Sequence, residues 1–301
     1  MNNGFEFVSC NLCGANDYTV RFKMLSTGGK DNSRKYSASS SFFNEEQVVT
    51  CNQCGLQYIN PRLKSEVILK GYIDGTDEDY VSQNEGRLLT FERGLDLIEK
   101  YAPKKGKILD VGAAAGFFLK VAKENNWETF GVEPNRWMCD YGNKNFDVGI
   151  KQGTLKEAAF PDNYFDVITF WDVLEHASDP KSELIEAHRI LKHGGLLVVN
   201  FPNIGSLLAR LFGRRWWFLL SVHLYYFSPE TLTKLLTKTG FKPFKNKLHF
   251  QKLSLGYLAY RLRPYNPLIS NALRFLIDGL CLNKLQVIYY ASQLNTLSLK
   301  E

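Results

Sequence analysis

Apolar residues follow two alternating patterns along the middle of the chain. Short segments with apolar residues and no helical spacing predict strands at 107–111, 128–133, about 148–151, 165–171 and 195–202. Between them, apolar residues recur every three or four positions and predict helices over about 85–101, through 118–122, and over about 137–145 and 181–191. Strands that alternate with helices form a parallel sheet covered on both faces. The middle of the chain therefore predicts an α/β fold with a doubly wound, mostly parallel sheet.

Further elements are predicted towards the carboxyl terminus. Ser228-Pro229 is typical of a helix start, with serine as the cap and proline in the first turn, and Gly240 is typical of the helix end. The tail predicts the following elements: a strand from Phe241, helices around 253–262 and 271–282, and a last strand near 285–290. The two tail helices are candidates for a homodimer interface.

The segment 206–227, SLLARLFGRRWWFLLSVHLYYF, combines apolar residues with the cluster Arg214-Arg215-Trp216-Trp217. We predict that it forms a lid over the substrate. Two alternatives remain open. The segment could pack as core against the amino-terminal region, or it could dock at a bilayer interface, which would suit a lipid-linked sugar acceptor.

Composition narrows the class of protein. The chain has 301 residues, of which 45% are hydrophobic and 23% are charged, as in ordinary globular proteins. Its net charge of +6 is mild and comes from dispersed basic residues, which argues only weakly for nucleic acid or an anionic membrane as a partner, and nucleic acid is not expected. No apolar stretch has the roughly 18 to 20 residues of a membrane span, and the first four residues do not resemble a signal peptide. A cytoplasmic location is expected.

Four of the six cysteines form two C-x-x-C-G motifs, Cys10 to Cys13 and Cys51 to Cys54. A tight turn lets both thiolates of such a motif point at one ion, and the glycine relieves backbone crowding. Redox dithiols and chance are the alternatives, but a redox motif normally occurs once, near a βαβ unit. The pattern therefore predicts a structural zinc site. The long spacing between the motifs indicates an insertion, which includes the polar stretch 26–41, interpreted as a mobile loop.

A glycine-rich turn, ILDVGAAAG, follows the predicted strand 107–111. A dinucleotide-binding turn needs glycine where this chain has Ala114 and Phe117, and phenylalanine would crowd a diphosphate. S-adenosylmethionine (SAM) has no phosphate and needs only a close turn of small residues. Glu133 ends the next strand, about 20 residues further on, where a carboxylate can bind both ribose hydroxyls. The turn therefore predicts a SAM site.

Four successive motifs carry a family resemblance: ILDVGAAAGFFL, GVEPN, FPDNYFDVITFWDVLEHASDP and RILKHGGLLVVNFPN. In this order they resemble class I SAM-dependent methyltransferases over about residues 85–245. The flanking stretches CNLCG…CNQCGLQYINPR and HLYYFSPETLTKLLTKTGF resemble a bacterial subgroup with an amino-terminal zinc-binding module. Members of that subgroup are often associated with sugar or surface-polysaccharide biosynthesis.

The resemblance implies a seven-stranded Rossmann-like methyltransferase sheet with a small zinc-ribbon-like module. The implied division is 1–75 for the zinc module, 76–245 for the methyltransferase domain and 246–301 for carboxyl-terminal elements that complete the sheet or lid. Ala114 stands where the family usually has the second glycine of the turn. The implied cofactor contacts are Asp110, Gly112 and Gly116 at the methionine end, Glu133 at the ribose, and Thr154, Leu155 and Trp171 around the adenine.

The stretch WDVLEHASDP holds the candidate catalytic residues, Asp172, Glu175 and His176, after the fourth strand. The pattern D-x-x-E-H is similar to the E-x-x-E-H of methyltransferases that bind a divalent cation, so Mg²⁺ is a candidate cofactor, with His223 as a fourth ligand. We favour instead His223 as a general base with a pKa near neutrality. In a third interpretation, Glu175 and His176 merely brace the next helix.

The sequence thus predicts a SAM-dependent methyltransferase that acts on a hydroxyl or carbon of a small molecule, such as a nucleotide-linked or lipid-linked sugar. The available acceptor-side groups are Trp171, His176, His223, Tyr225 and Tyr226, although the two tyrosines are equally compatible with sheet packing. A non-catalytic SAM-binding module and an RNA methyltransferase are the alternatives. The mild charge and the absence of interleaved basic and aromatic residues disfavour RNA.

Overall fold

The structure is a computed structural model that describes residues 5–25, 45–73 and 75–301. The predicted loop 26–41 lies outside the described residues. In chain order the strands are β1 Phe5–Glu6, β2 Tyr18–Phe22, β3 Val48–Cys51, β4 Gln57–Ile59, β5 Arg62–Leu63, β6 Lys107–Val111, β7 Glu128–Glu133, β8 Ile150–Gln152, β9 Phe165–Trp171, β10 Leu191–Pro202, β11 Tyr225–Tyr226, β12 Phe241–Ser254 and β13 Gln286–Lys300.

The helices alternate with the strands through the middle of the chain. They are α1 Ser65–Ile73, α2 Glu78–Ser82, α3 Asn84–Tyr101, α4 Phe117–Glu124, α5 Arg136–Phe146, α6 Pro180–Ile190, α7 Leu207–Phe212, α8 Pro229–Lys238, α9 Leu255–Arg261 and α10 Pro267–Gly279. A short 3-10 turn, Gly213–Arg215, follows α7. The predicted elements between residues 85 and 202 are all present, with ends shifted by a few residues at most.

Seven strands form the central sheet, in the order β12-β13-β10-β9-β6-β7-β8. The five strands from β10 to β8 pair in parallel, whereas β13 pairs antiparallel with both β10 and β12. The predicted doubly wound, mostly parallel, seven-stranded sheet is therefore confirmed. The last strand is longer than predicted and reaches Lys300, because it pairs with β12 along its whole length and also with β10 over its second half.

The core lies on both faces of the central sheet. Successive side chains of a strand point to opposite faces, and β6 accordingly places Ile108 in one apolar cluster and Leu109 in the other. The cluster around Ile108 includes residues of α3, α4 and α5, and the cluster around Leu109 includes residues of α6 and α8. The predicted strand 107–111 thus corresponds to a strand buried on both sides.

The helix predicted at residue 228 begins as the sequence indicates. The Ser228 side chain accepts a hydrogen bond from the backbone N–H of Thr231, and Pro229 occupies the first turn of α8. Gly240 follows the helix with a φ of +91°. The capping signals therefore located both ends of this helix.

A second, smaller sheet of four antiparallel strands has the order β11-β4-β3-β2. Its strand β11 comes from the segment 206–227, and Tyr225 pairs with Tyr58 of β4. Trp216 of the same segment is fully buried in a cluster with Val48 and Ile59.

The prediction that 206–227 is a lid was wrong, because none of its residues lines the cavity described below. The segment packs as core against the amino-terminal sheet, which was one of the alternatives. Apolar side chains in the second half of the segment are buried against the amino-terminal sheet, because that sheet has only short strands and β11 adds one more. Since β11 belongs to this sheet, the amino-terminal module includes a strand from far along the chain. The division at residues 75 and 245 stays a prediction.

Candidate active site

The carboxyl ends of β6, β7, β9 and β10 border a cavity of about 450 Å³. This is the edge at which open α/β sheets bind ligands. The predicted site residues that line it are Asp110, Gly112, Ala114, Glu133, Thr154, Leu155, Trp171, Asp172 and His176. The predicted site residues that do not line it are Gly116, Glu175 and His223.

Small residues bring the backbone of the turn after β6 close to the cavity. A Cβ on Gly112 would lie 2.6 Å from Cγ2 of Val173, so only glycine fits there without a shift. Ala114 has a φ of 45° and is accommodated in this conformation. Gly116 supports the turn from behind, since a Cβ there would lie 3.0 Å from Cδ1 of Ile150. The turn therefore presents main-chain atoms to a ligand.

Glu133 is held in place by the backbone around it. Its Oε2 accepts a hydrogen bond of 2.9 Å from the N–H of Ala114, and its Oε1 accepts one of 2.9 Å from the N–H of Asn135. Burial raises the pKa of this carboxyl, while the two backbone hydrogen bonds oppose the shift. A carboxylate oxygen has capacity for a second donor. The geometry thus leaves both oxygens able to accept from the hydroxyls of a ribose.

Asp110 lies at the end of β6, buried beside Glu133. The hydroxyl of Thr169 donates a hydrogen bond of 2.7 Å to its Oδ1. Burial raises the pKa of Asp110 to about 8, and the charge of Glu133 adds to the shift. A cationic group of a ligand placed here would favour the ionised form.

Trp171 forms an aromatic wall of the cavity. Its ring centroid lies 5.3 Å from that of Phe118 and 5.8 Å from the ring of His249. Its indole Nε1 is buried and has no hydrogen-bond partner among the described residues. Buried indole N–H groups usually have a partner, so this N–H is an exception within the wall.

Asp172 has an unusual backbone conformation, with a φ of +54°. The side-chain amide of Gln293 donates a hydrogen bond of 2.5 Å to its Oδ1. Burial raises the pKa of Asp172 to about 6, and the hydrogen bond from Gln293 and the charge of Arg87 oppose the rise. Residues held in sparsely populated conformations cluster at active sites. Asp172 therefore combines strain, cavity exposure and a pKa close to neutrality.

Glu175 and His223 do not line the cavity, and the structure brings both together with His176, which does. Each offers one possible ligand atom, and these atoms lie within 4.8 Å of one another. Nδ1 of His176 lies 3.0 Å from the carbonyl oxygen of Val222, and Nδ1 of His223 lies 2.8 Å from that of Phe218. Neutral rings that donate from Nδ1 carry their lone pair on Nε2.

The electrostatics of this cluster favour neutral side chains. Burial lowers the pKa of His176 to about 4. Burial, and then the neighbouring His176, lower the pKa of His223 well below its usual range. Burial and the charge of Asp172 raise the pKa of Glu175 well above its usual range. The expectation of a near-neutral pKa for His223 was therefore wrong.

Tyr225 and Tyr226, the two tyrosines of β11, pack in the protein interior and do not face the cavity. Both are buried, and neither lines the cavity. The hydroxyl of Tyr225 accepts a hydrogen bond from Arg62, and that of Tyr226 donates to the carbonyl of Leu220. They join the amino-terminal sheet to the rest of the molecule.

Sequence reasoning missed a polar part of the cavity wall. Arg87 from α3, Asn200 from β10, and His249 and Gln251 from β12 all line the cavity. Gln293 of β13 connects this group, since its amide donates to both Asp172 and Asn200. These residues are scattered over the chain and form no local motif, so only the paired sheet brings them together.

The four cysteines of the C-x-x-C-G motifs meet as predicted. Their sulfur atoms all lie within 4.8 Å of one another, with 3.4 Å between Cys10 and Cys54 and 3.5 Å between Cys13 and Cys51. All four are free thiols. The glycine after each motif has a φ of +82°, the conformation for which glycine was expected. Sulfurs bound to one tetrahedral zinc lie about 3.8 Å apart, so the cluster fits a zinc ion.

Comparison with known proteins agrees with this geometry. A SAM-dependent methyltransferase of Archaeoglobus fulgidus superimposes with a TM-score of 0.52 at 19% identity, covering 74% of this chain and 100% of that one. The fold is thus that of the SAM-dependent methyltransferases. Residues 81–245, more than half of the chain, match the family described as "Methyltransferase domain". The chain belongs to this family.

Two relatives show how far the likeness extends. An uncharacterized methyltransferase of Schizosaccharomyces pombe is 32% identical over 123 residues, which are 36% of this chain and 44% of that protein. A ubiquinone biosynthesis O-methyltransferase of Cereibacter sphaeroides is 26% identical over 136 residues, 39% of this chain and 55% of that protein. The matches therefore span about half the length of each relative.

Proposed function

We propose that this protein transfers a methyl group from SAM to a hydroxyl, or alternatively a carbon, of a small-molecule acceptor. The observation that carries the proposal is the single cavity at the carboxyl edge of the sheet. One part of it holds the glycine turn with Asp110 and Glu133, and another holds Asp172 and His176. Cofactor and acceptor groups would thus face each other in one space.

The cofactor residues have distinct tasks in this proposal. Glu133, held by two backbone N–H groups, accepts from the ribose hydroxyls. Asp110 and the turn from Gly112 surround the methionine end, and Thr154, Leu155 and Trp171 surround the adenine. SAM supplies an activated methyl group on a sulfonium, so the protein needs only to align the acceptor, exclude water and remove a proton.

Asp172 is the group that we propose to take the proton. Of the four catalytic candidates, only Asp172 and His176 line the cavity. The pKa of Asp172 is about 6, whereas that of His176 is about 4. A general base works best with a pKa near the working pH. His176, neutral and held by the carbonyl of Val222, then orients the acceptor hydroxyl.

Magnesium has no part in the proposed mechanism. Mg²⁺ prefers an octahedral set of oxygen ligands, whereas the cluster of Glu175, His176 and His223 offers two imidazoles and one carboxyl group. His223 does not line the cavity, so in this proposal it supports His176 and does not act as a base.

The acceptor is proposed to be a sugar, either nucleotide-linked or lipid-linked. Support comes from the flanking motifs, which resemble the sugar-associated subgroup, and from the polar wall of amide and imidazole groups, which suits a hydroxyl-rich molecule. The name of the relative from Cereibacter sphaeroides also supports O-methylation of a small molecule.

We also propose that the four cysteine thiolates bind a structural zinc ion. Zinc would fix both C-x-x-C-G turns and so hold β2, β3 and β4 in register with β11. Because such a site does not exist in the unfolded chain, metal binding would contribute directly to folding. The ion would take no part in methyl transfer.

The test uses labelled SAM with nucleotide sugars, lipid-linked sugars and RNA as acceptors. We expect a sugar to be labelled, and labelling of RNA alone would refute the acceptor class. With the active acceptor, Asp172→Asn should lower kcat by about 100-fold to 10,000-fold, since it retains an oxygen for Gln293 but cannot accept a proton. Asp140→Asn, which changes an exposed aspartate of α5, is the matched control.

The pH profile separates the candidate bases. If Asp172 is the base, the rate rises with pH through about 6 and then levels off, because the carboxyl group must be ionised. His176→Ala should lower kcat and retain this rise. A wild-type rate in Asp172→Asn would contradict the assignment. Loss of activity on chelation, with recovery in Mg²⁺ or Mn²⁺, would contradict it as well.

A further inference from the structure

A helical hairpin projects from the central sheet between its two antiparallel strands. The hairpin consists of α9 and α10 and covers residues 255–285, between the end of β12 and the start of β13. Ser254 of β12 pairs with Gln286 of β13, so the two ends of the hairpin are held together by the sheet. Because Pro202 at the carboxyl end of β10 pairs with Gln293, the hairpin lies beyond the same edge as the cavity.

The two helices pack against each other. Ala259, Ser270 and Ile277 are buried, and the hydroxyl of Ser270 donates a hydrogen bond of 2.8 Å to the carbonyl of Ala259. The hairpin therefore has a defined inner face. All other residues from 262 to 285 are exposed.

The outer face of α10 is apolar. Leu268, Ala272, Phe275 and Leu276 follow the i, i+4, i+7, i+8 spacing of one helix stripe. Leu268 is 80% exposed and Phe275 is 79% exposed. The large apolar side chains exposed in the whole hairpin are Tyr260, Leu262, Tyr265, Leu268, Ile269, Leu273, Phe275, Leu276, Leu280, Leu282 and Leu285. Apolar exposure on this scale marks a binding surface.

The charges of the hairpin identify its partner. Residues 255–285 contain four basic side chains, Arg261, Arg263, Arg274 and Lys284, against one acidic side chain, Asp278. A second copy of the chain would bring the same positive charges together. Arg261 ends α9, Arg274 belongs to α10, and Arg263 and Lys284 lie in the adjoining turns. An apolar helix surface with basic residues around it suits the interface of an anionic bilayer.

We propose that the hairpin α9/α10 docks the protein onto an anionic lipid surface. The apolar stripe would enter the boundary between head groups and acyl chains, and the basic side chains would pair with anionic head groups. Leu253, two residues before α9, lines the cavity. The docked surface thus adjoins the cavity along β12. This binding does not depend on the proposed methyl transfer.

The test is flotation of the full-length protein with vesicles. Vesicles of phosphatidylcholine mixed with phosphatidylglycerol should bind the protein, and vesicles of phosphatidylcholine alone should bind it much more weakly. The double variant L268S/F275S should reduce binding at least about ten-fold, since burial of each side chain in an apolar phase contributes on this scale. R263Q/K284Q should reduce binding about five-fold per charge removed.

The matched control changes apolar side chains of similar exposure elsewhere. L207S/L211S alters two leucines of α7 that are 71% and 70% exposed, and it should leave vesicle binding unchanged. Equal unfolding temperatures of all variants confirm that each is folded. Binding that is lost in L207S/L211S and retained in L268S/F275S would overturn the proposal. A dimer in solution that dissociates in L268S/F275S, with no vesicle binding by the wild type, would overturn it in favour of a second copy.

Discussion

Replacing Glu133 by glutamine should weaken SAM binding, and the hydrogen bonds of Glu133 indicate by how much. Each carboxylate oxygen accepts one backbone N–H at 2.9 Å, from Ala114 and from Asn135. Glutamine supplies one oxygen and one NH₂ group, so one N–H loses its acceptor and faces another donor. A hydrogen bond to a charged group contributes about 1.5 to 3 kcal/mol. One ribose hydroxyl loses its carboxylate acceptor at the same time.

We therefore expect Glu133→Gln to raise the Kd for SAM by about 10-fold to 100-fold, measured by isothermal titration calorimetry. Glu128→Gln is the control, because Glu128 begins the same strand, is exposed, and lies away from the cavity. Its Kd should equal that of the wild type. If Glu133→Gln is folded and binds SAM as tightly as the wild type, Glu133 does not hold the ribose.

Two further predictions concern the zinc cluster and Asp110. Cys13→Ser or Cys54→Ser should lower zinc content towards zero and increase hydrogen exchange in β2, β3 and β4, whereas full zinc occupancy by elemental analysis would contradict a four-thiolate site. For Asp110, the folded-state pKa of about 8 lies above the ordinary 3.8, so the cofactor-free wild type loses stability as pH rises between these values. Asp110→Asn has no carboxyl group at this position and should not lose stability in this way. Its gain in unfolding temperature over the wild type should therefore grow from about pH 4 to about pH 8, and a gain independent of pH would refute the shift.

The parallel part of the fold could be predicted from the sequence because its signals are local. The strands 107–111, 128–133 and 165–171 are short segments with apolar residues and no helical spacing, and the structure gives the same bounds. The turn at Gly112 and the carboxylate at Glu133 also lie within one βαβ unit. Their positions in the cavity follow from the topology of such a unit.

The remaining features depend on contacts between distant segments. Nothing near Tyr225 indicates that it pairs with Tyr58, which is why the segment 206–227 was predicted as a lid. The same limit applies to the cavity wall, because Gln293 reaches Asp172 only through the pairing of β13 with β10, and Arg87 comes from α3, which packs against β12. His223 follows the fifth strand as expected. Its burial beside His176 depends on the packing of the whole segment 206–227, which the sequence around His223 does not indicate.

A crystal structure with S-adenosylhomocysteine tests the central claim most directly. We predict density in the cavity at the carboxyl edge of the sheet, with both ribose hydroxyls at the carboxylate of Glu133 and the adenine beside Thr154 and Leu155. The sulfur atom should face the space bordered by Asp172 and His176. Density at another position, or an empty cavity at saturating ligand, would contradict the account.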